Sequence, residues 1–474
     1  MKRPVLAAVL LMFVSFAFCG QVTFDDAEAN MLQNSPAIKR SLLDFNMNKA
    51  ALSRETGNRY DVKLNAGYGY GAGYDDNIIT GDNSNFNSSL SEALPTGGNI
   101  FLNMNSSNYD PAQGATLNDS VGINIYQPLL RGLLGMPADN SIKSDEYAVQ
   151  MSKESLRDAV TGSTGTLKKY FVQIYRQQQF LAQNTMAIEC ARNTLAAAKR
   201  GLSAGEQLEA KAFLLSRQAQ QAGFENNIKS ACEDFLNYAG YDGRDWDSLT
   251  IDTSSMTEEA YIPVTLTAEL ENTLIEVQPQ VARAKIRYEN TRLWMDQAGW
   301  SVFPQLDLNA SMQLNGFGNN LTDSIKIISQ GREKYYSAGL NFSFDIPNSG
   351  AVFDEKYQEA RYESDLMNYR IIGNGFRRRI RDAWRKLQQA MSAYEMRKEA
   401  SEAFLKRLEM VKGAFNAGSF NVREMNQSIN DAANALSGEA NSYYDYIAAL
   451  SDWNRYSGKY ESYFSGYMRD KAEN

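Results

Sequence analysis

The chain holds ten prolines, and where they are missing constrains its fold more than any other feature. They fall at positions 4, 36, 95, 111, 128, 137, 263, 279, 304 and 347, which leaves two proline-free tracts of roughly 125 residues each. Proline inside a helix removes a hydrogen bond and clashes with the preceding turn, so long uninterrupted helix is permitted in those two tracts. Apolar residues in the second tract recur at threes and fours: Ile380, Trp384, Leu387, Met391 and Tyr394, then Phe404, Leu408, Val411 and Phe415. The same spacing returns at Met425, Ile429, Ala432, Leu436, Ala440, Tyr443, Ile447, Leu450 and Trp453. One short helix with this stripe would be an ordinary core helix; sustained over such a length it is a coiled-coil-like seam.

A glycine-bearing stretch divides each tract, "RGLSAGEQL" around Gly205 and "FNAGSFNVR" around Gly418. Glycine lets a chain leave a helix in a left-handed conformation and double back, which predicts two antiparallel helix hairpins. Each first arm is roughly 60 residues, or about 90 Å at 1.5 Å per residue. Both arms carry a glycine pair, Gly162 with Gly165 and Gly373 with Gly375, the mark of a break, a bend or a close helix crossing.

Before each tract the period changes to two. Val62, Leu64, Ala66, Tyr68, Tyr70, Ala72 and Tyr74 alternate with small or polar residues, as do Val121, Ile123 and Ile125. The second half supplies Leu306, Leu308, Ala310, Met312 and Leu314, then Leu340, Phe342 and Phe344. These four strands have the length and alternation of transmembrane barrel strands, although a soluble sandwich alternates too. Four strands cannot close a barrel, so a barrel requires several copies of the chain. The second and fourth strands each run into a proline, Pro128 or Pro347. Upstream of each pair lies a helix with acidic residues in its first turn that meets a proline, Pro36 or Pro279, and continues. The order helix, strand, strand, proline, long hairpin therefore occurs twice, an internal duplication with repeats at 20–250 and 251–474. The first copy is longer between its strands by "DDNIITGDNSNFNSSLSEALPTGGN", a mobile surface loop or an extra hairpin.

Met1, Lys2 and Arg3 precede an apolar run from Val5 to Phe18, the order of a secretory signal peptide over residues 1–19. Cys19 raises the question of acylation, but a bulky Phe18 fits that motif poorly, whereas Ala17 and Cys19 fit ordinary cleavage before Gly20. The net charge of −8 and pI near 5.1 disfavour a nucleic-acid partner. The chain has no histidine, the commonest general base and metal ligand, and no CxxC pair. Neither a nucleophile motif nor a phosphate loop is present, so no enzymatic activity, cofactor or metal is expected. Cys190 and Cys232 sit on opposite arms of the first hairpin, about 20 Å out of step, which predicts no disulfide between them. The basic run "FRRRIRDAWRKL" from Phe376 reads either as a solvated helix face or as a partner-binding or lumen-facing patch.

The pieces "DAEANMLQNSPAI", "LPTGGNIFLNM", "YQPLLRG" ending at Gly132, "FDIPNSG", "FNAGSFNVREMNQSINDAANAL" and "LSDWNRYSG" resemble, in their order and duplication, the outer-membrane efflux proteins, the TolC-like family. The resemblance covers essentially the whole mature length. It implies a mixed α/β membrane protein, a homotrimer with four strands per chain in a 12-stranded β-barrel, continued by a long α-helical periplasmic tube. Pro128, Gly132 and Pro347 then mark the strand-to-helix turns, and Tyr68, Tyr70, Tyr74 and Tyr126 read as an aromatic girdle or as ordinary cross-strand packing. The hairpin tips are implied to close the tube and to dock a periplasmic adaptor protein coupled to an inner-membrane transporter. That places Gly418, Arg423, Glu424 and Gln427 at one tip and Gly205, Glu209 and Lys211 at the other. Glu424 stands at the position often acidic in relatives, and Gln427 where many carry a second acid. Three copies of Glu424 facing one axis repel unless paired, for example by Arg423. The implied role is a passive exit duct, in efflux or type I secretion, in the outer membrane of a Gram-negative-type cell. A non-conducting trimeric structural or adhesive stalk shares the long helices but has no need of barrel-length strands.

Overall fold

The computed structural model describes residues 20–75, 78–111, 116–131, 136–243, 249–253 and 265–473. The expected signal peptide with Cys19, and Gly132, lie outside the described residues. The chain divides into two compact units, each drawn from both halves of the sequence. One takes Met1–Leu43, Glu154–Ala282 and Ile372–Asn474; the other takes Asp44–Lys153 and Arg283–Ile371.

Helices supply the first unit. In chain order the helices are α1 (Phe24–Asn34), α2 (Pro36–Tyr60), α3 (Met136–Ala198), α4 (Ala204–Tyr238), α5 (Ala268–Glu276), α6 (Pro279–Ser301), α7 (Leu321–Gln330), α8 (Ser349–Asn416), α9 (Val422–Tyr456) and α10 (Glu461–Glu473). The proline-free tracts yield single helices of 63 residues in α3 and 68 in α8. Pro36 and Pro279 open new helices, where a missing N–H costs nothing, so the expected leading helix is two helices in each half. Reciprocal capping boxes start α1 (Thr23 with Asp26), α4 (Ser203 with Glu206) and α9 (Asn421 with Glu424).

Two apolar cores stand out among the described residues of this unit. One gathers Met31, Ile38, Leu156, Phe171, Ile174 and Phe235 from α1 to α4, with Phe464 and Tyr467 of α10. A short parallel pair, β1 (Gly20–Val22) with β6 (Leu249–Ile251), adds Val22 to it. The other core joins α3, α4, α8 and α9 through Ala187, Ala210, Leu408, Phe415, Met425 and Ile429. The heptad-like stripe thus contributes its expected residues: Ile380, Leu387, Ile447, Leu450 and Trp453 are buried as well. Cys190 packs beside the second core and Cys232 beside the first; both are free thiols.

Both glycine pairs lie inside unbroken helix. Gly162 and Gly165 mark a close crossing: a Cβ at the first would meet Arg455, and Ser451 Oγ donates to the Gly165 carbonyl at 3.0 Å. Gly373 and Gly375 face open space within the chain. The basic run is in part a clamp. The buried Glu271 of α5 accepts from Arg381 Nε at 3.0 Å, and its other oxygen lies 3.1 Å from Arg377 Nε, an ion-pair distance without hydrogen-bond alignment.

The second unit is built on one antiparallel sheet, and here the strand count departs from expectation. Six strands, not four, lie side by side in the order β2 (Lys63–Asp75), β3 (Ile78–Ala93), β4 (Asn99–Pro111), β5 (Thr116–Pro128), β7 (Gln305–Gly318) and β8 (Glu333–Ser343). The Asn- and Ser-rich excursion supplies β3 and the turn that follows it, one arm of an extra hairpin whose other arm, β4, lies beyond the excursion; the pair sits inside the sheet, between β2 and β5. Its turn explains "LPTGG". Gly97 has φ +85, a left-handed conformation, and a Cβ on Gly98 would overlap the Tyr126 carbonyl oxygen. Leu94 accepts from Arg59 at 3.0 Å, while Thr96 and Gln127 exchange hydrogen bonds at 2.6 and 2.9 Å, so the turn is pinned to α2 and to the end of β5.

Helix α7, capped by Asn320 and ended by Gly331 in the left-handed conformation, folds back onto the sheet. Its Ser324 and Ile328 lie over Gly316 and leave no room there for a Cβ.

Candidate functional site

Directly opposed residues of an antiparallel pair share a face, so the registers define what each side of the sheet presents. One row across all six strands reads Leu64, Leu90, Leu102, Ile123, Met312 and Tyr336. A row on the opposite face reads Gly67, Asn87, Asn105, Ser120, Asn315 and Glu333, and another reads Asn65, Ser89, Asn103, Gly122, Gln313 and Tyr335. In these rows one face is aliphatic and aromatic and the other mostly amide and hydroxyl; nearer α7 the first face also carries Ser106 and Asp119. Away from α7, which covers Gly316 and Asp119 on it, the apolar face is bare: Leu64 is 71% exposed, Leu102 43%, Leu340 66% and Phe342 65%. A soluble sheet covers such a face with a second layer; a barrel wall turns it to lipid and keeps the polar face inward.

Tyr68 and Tyr70 lie exposed on the apolar face, and Tyr126 lies on the polar one. The Tyr74 side chain is outside the described residues. Near the end of the sheet under α7, Asp119 is across from Gly316 and only 3% exposed, with neither carboxylate oxygen hydrogen-bonded among the described residues.

Pro128 is the last residue of β5, after which one more bond, Leu129 N–H to the Leu306 carbonyl at 2.7 Å, closes the pairing. Pro347 follows β8 and, with Arg131, Trp294, Gln297, Asp345 and Asn348, lines an open groove of about 470 Å³. Asn348 donates to the Val302 carbonyl at 2.9 Å, which fixes the start of α8 against the segment after α6.

The hairpin tips belong to the helical unit, where the second core holds them together: Leu202 of one tip packs with the cluster that contains Val422 of the other. Gly418 turns as expected, with φ +78 and Ser419 N–H bonded to the Ala414 carbonyl at 2.9 Å. Gly205 does not. It is exposed within the first turn of α4, and the reversal there is made by the Ser203 and Glu206 capping box instead. Arg423, Glu424, Gln427, Glu209 and Lys211 are all exposed. Glu424 has a structural partner, since its carboxylate accepts the Asn421 backbone N–H at 2.9 Å. Below the tips, polar contacts tie the helices: Asn184 donates to the Arg217 carbonyl at 3.1 Å, Arg217 bonds Asn430, and Arg407 pairs with Asp431 at 3.2 Å. No helix among the described residues is long and apolar enough to cross a membrane.

No family model and no curated protein matches the sequence. Solved structures do match. The outer-membrane channel CmeC of Campylobacter jejuni has a TM-score of 0.67 at 14% identity, covering 92% of this chain and 85% of its own. The open state of the Neisseria gonorrhoeae channel MtrE gives 0.67 at 12%, covering 92% and 88%. The outer-membrane protein VceC of Vibrio cholerae gives 0.64 at 12%, covering 92% and 96%. The fold is thus that of an outer-membrane channel. Within that class it is the fold of the TolC-like efflux channels, as the order of the sequence pieces implied.

Proposed function

We propose that this chain is the outer-membrane exit duct of a tripartite efflux or type I secretion system. It would conduct passively what an inner-membrane transporter delivers through a periplasmic adaptor. The observation that carries this reading is the two-faced sheet: six strands with a largely uncovered apolar face and an opposite face that is mostly amide and hydroxyl suit a wall between lipid and water. In this reading the chain is exported by residues 1–19 and its halves, 20–250 and 251–474, are duplicated repeats. Three copies join their sheets into one barrel in the outer membrane and their helices into a periplasmic tube. The hairpin tips, with Gly418, Arg423, Glu424 and Gln427 beside Glu209 and Lys211, form the gate and the adaptor-docking end. An adhesive stalk is the weaker reading, because a continuous amide and hydroxyl face has no use in a solid rod.

Reconstitution of the purified, detergent-solubilised protein into planar bilayers tests the reading. Discrete conductance steps, with a hollow threefold particle in electron micrographs, are expected. A particle that produces no steps at any voltage, or a solid rod, would overturn it.

A further inference from the structure

We infer that the β3–β4 hairpin widens the barrel: each copy gives six strands to the wall, so that three copies close an eighteen-stranded barrel for bulky hydrophilic cargo such as a polypeptide. The inference rests on the duct reading and its three copies.

The position of the hairpin carries the argument. An insertion that hung outside the wall would leave β2 paired with β5, whereas β3 and β4 lie between them and are hydrogen-bonded along 13 and 11 residue pairs to β2 and β5 respectively. Their faces match the rest of the sheet: Leu90 and Leu102 continue the apolar row, while Asn87, Asn105, Ser89 and Asn103 continue the polar one. A turn with a left-handed Gly97, a Gly98 that has no room for a side chain, and the Thr96–Gln127 bonds holds the hairpin in register.

The edges say how copies meet. β2 and β8, of 13 and 11 residues, are the outer strands of the sheet, and their backbone groups on the outer side have no partner in it. Lipid does not tolerate open edges, and six strands are too few to close alone. Six is even, so β2 and β8 run in opposite directions, and β8 of one copy meets β2 of the next as an ordinary antiparallel pair. With strands about 4.8 Å apart and tilted by about 40°, eighteen strands make a backbone ring ~36 Å across, against ~24 Å for twelve. That bore keeps an aqueous channel clear of its own side chains. Its polar wall, away from Lys63, Asp307 and Glu333 toward the strand ends, is mostly amide and hydroxyl, which suits a hydrated polymer of either charge.

The test is electron cryomicroscopy of the wild-type particle and of a variant lacking residues 76–115, in which a two-residue turn joins β2 directly to β5. Polyethylene glycols of graded size, added on the barrel side in planar bilayers, report the bore independently of the gate. A threefold wild-type barrel ~36 Å across, admitting larger polymers than a ~24 Å deletion barrel, is the expected result. A threefold hollow particle with a wild-type barrel of ~24 Å would overturn the wide bore and leave the duct standing. A particle with no threefold hollow form would overturn both. Should the deletion variant fail to fold, the wild-type diameter alone decides.

Discussion

Glu28 sits on α1 facing the first core, 7% exposed, and its Oε1 has no hydrogen-bond partner among the described residues. Burial pushes its carboxyl from the ordinary 4.5 up to about 7; Thr164 and Lys168 offset part of this, and Asp25 adds to it. A folded-state value above the unfolded one means that the native state holds the proton more tightly. The associated stability is complete below pH 4.5 and is lost as pH rises through about 7. Taken over the whole interval, the loss is about 3 kcal/mol. Glu28→Gln presents the same shape as the protonated acid and cannot ionise. Thermal melts of the detergent-solubilised protein, followed by circular dichroism between pH 4 and 8.5, should show the two proteins converging at the acid end. At pH 8 the variant should melt several degrees higher. Superimposable curves across the range, or a wild type more stable at pH 8, would refute the assignment of a strained, buried carboxyl.

Three further outcomes follow from the contacts. Glu424→Gln preserves the reach-back bond to Asn421 but removes the charge, so it should raise single-channel conductance if charge closes the tip; equal conductance in wild type and variant would take Glu424 out of the gate. Replacing Arg377 and Arg381 together by Ala strands the buried Glu271 carboxylate and should cost about 3 kcal/mol or more, whereas Glu271→Ala frees two half-exposed cations and should cost no more than about 1–2 kcal/mol. Chemical denaturation of the two variants checks that asymmetry, and equal losses would contradict it. Gly98→Ala forces a side chain onto the Tyr126 carbonyl and should destabilise the sheet by about 1–3 kcal/mol, seen as a lower temperature for loss of the folded band on semi-native gels.

Long helices were the most legible part of the chain, because proline absence and a three-four period act over many turns. Short elements were not. The three-residue strands β1 and β6 are below any detectable period, and α7 announces itself only by the Asn320 and Asp323 cap. β3 and β4 were the costly omissions: in β3, between Ile79 and Ala93 only Phe86 and Leu90 are large and apolar, so alone it looks like a polar loop. Its apolar side becomes visible only beside β4, whose Ile100, Leu102 and Met104 do alternate. At the first tip, a glycine was given a role that belongs to Ser203 and Glu206, since the S-x-x-E spacing outranks a nearby Gly as a helix-start signal. The tip charges could be placed from sequence, but Glu424 as a capping partner could not, because the same residue type serves both purposes.

The hairpin turned by "LPTGG" enters the sheet at its middle, and the outermost strands are the same with or without it. In the proposed three-copy wall, circumference and seam would for that reason be separate design variables. A strand pair could be gained or lost here without rewriting the edge strands through which copies would pair, so that one local insertion would change the bore while assembly and gating stayed under their own selection.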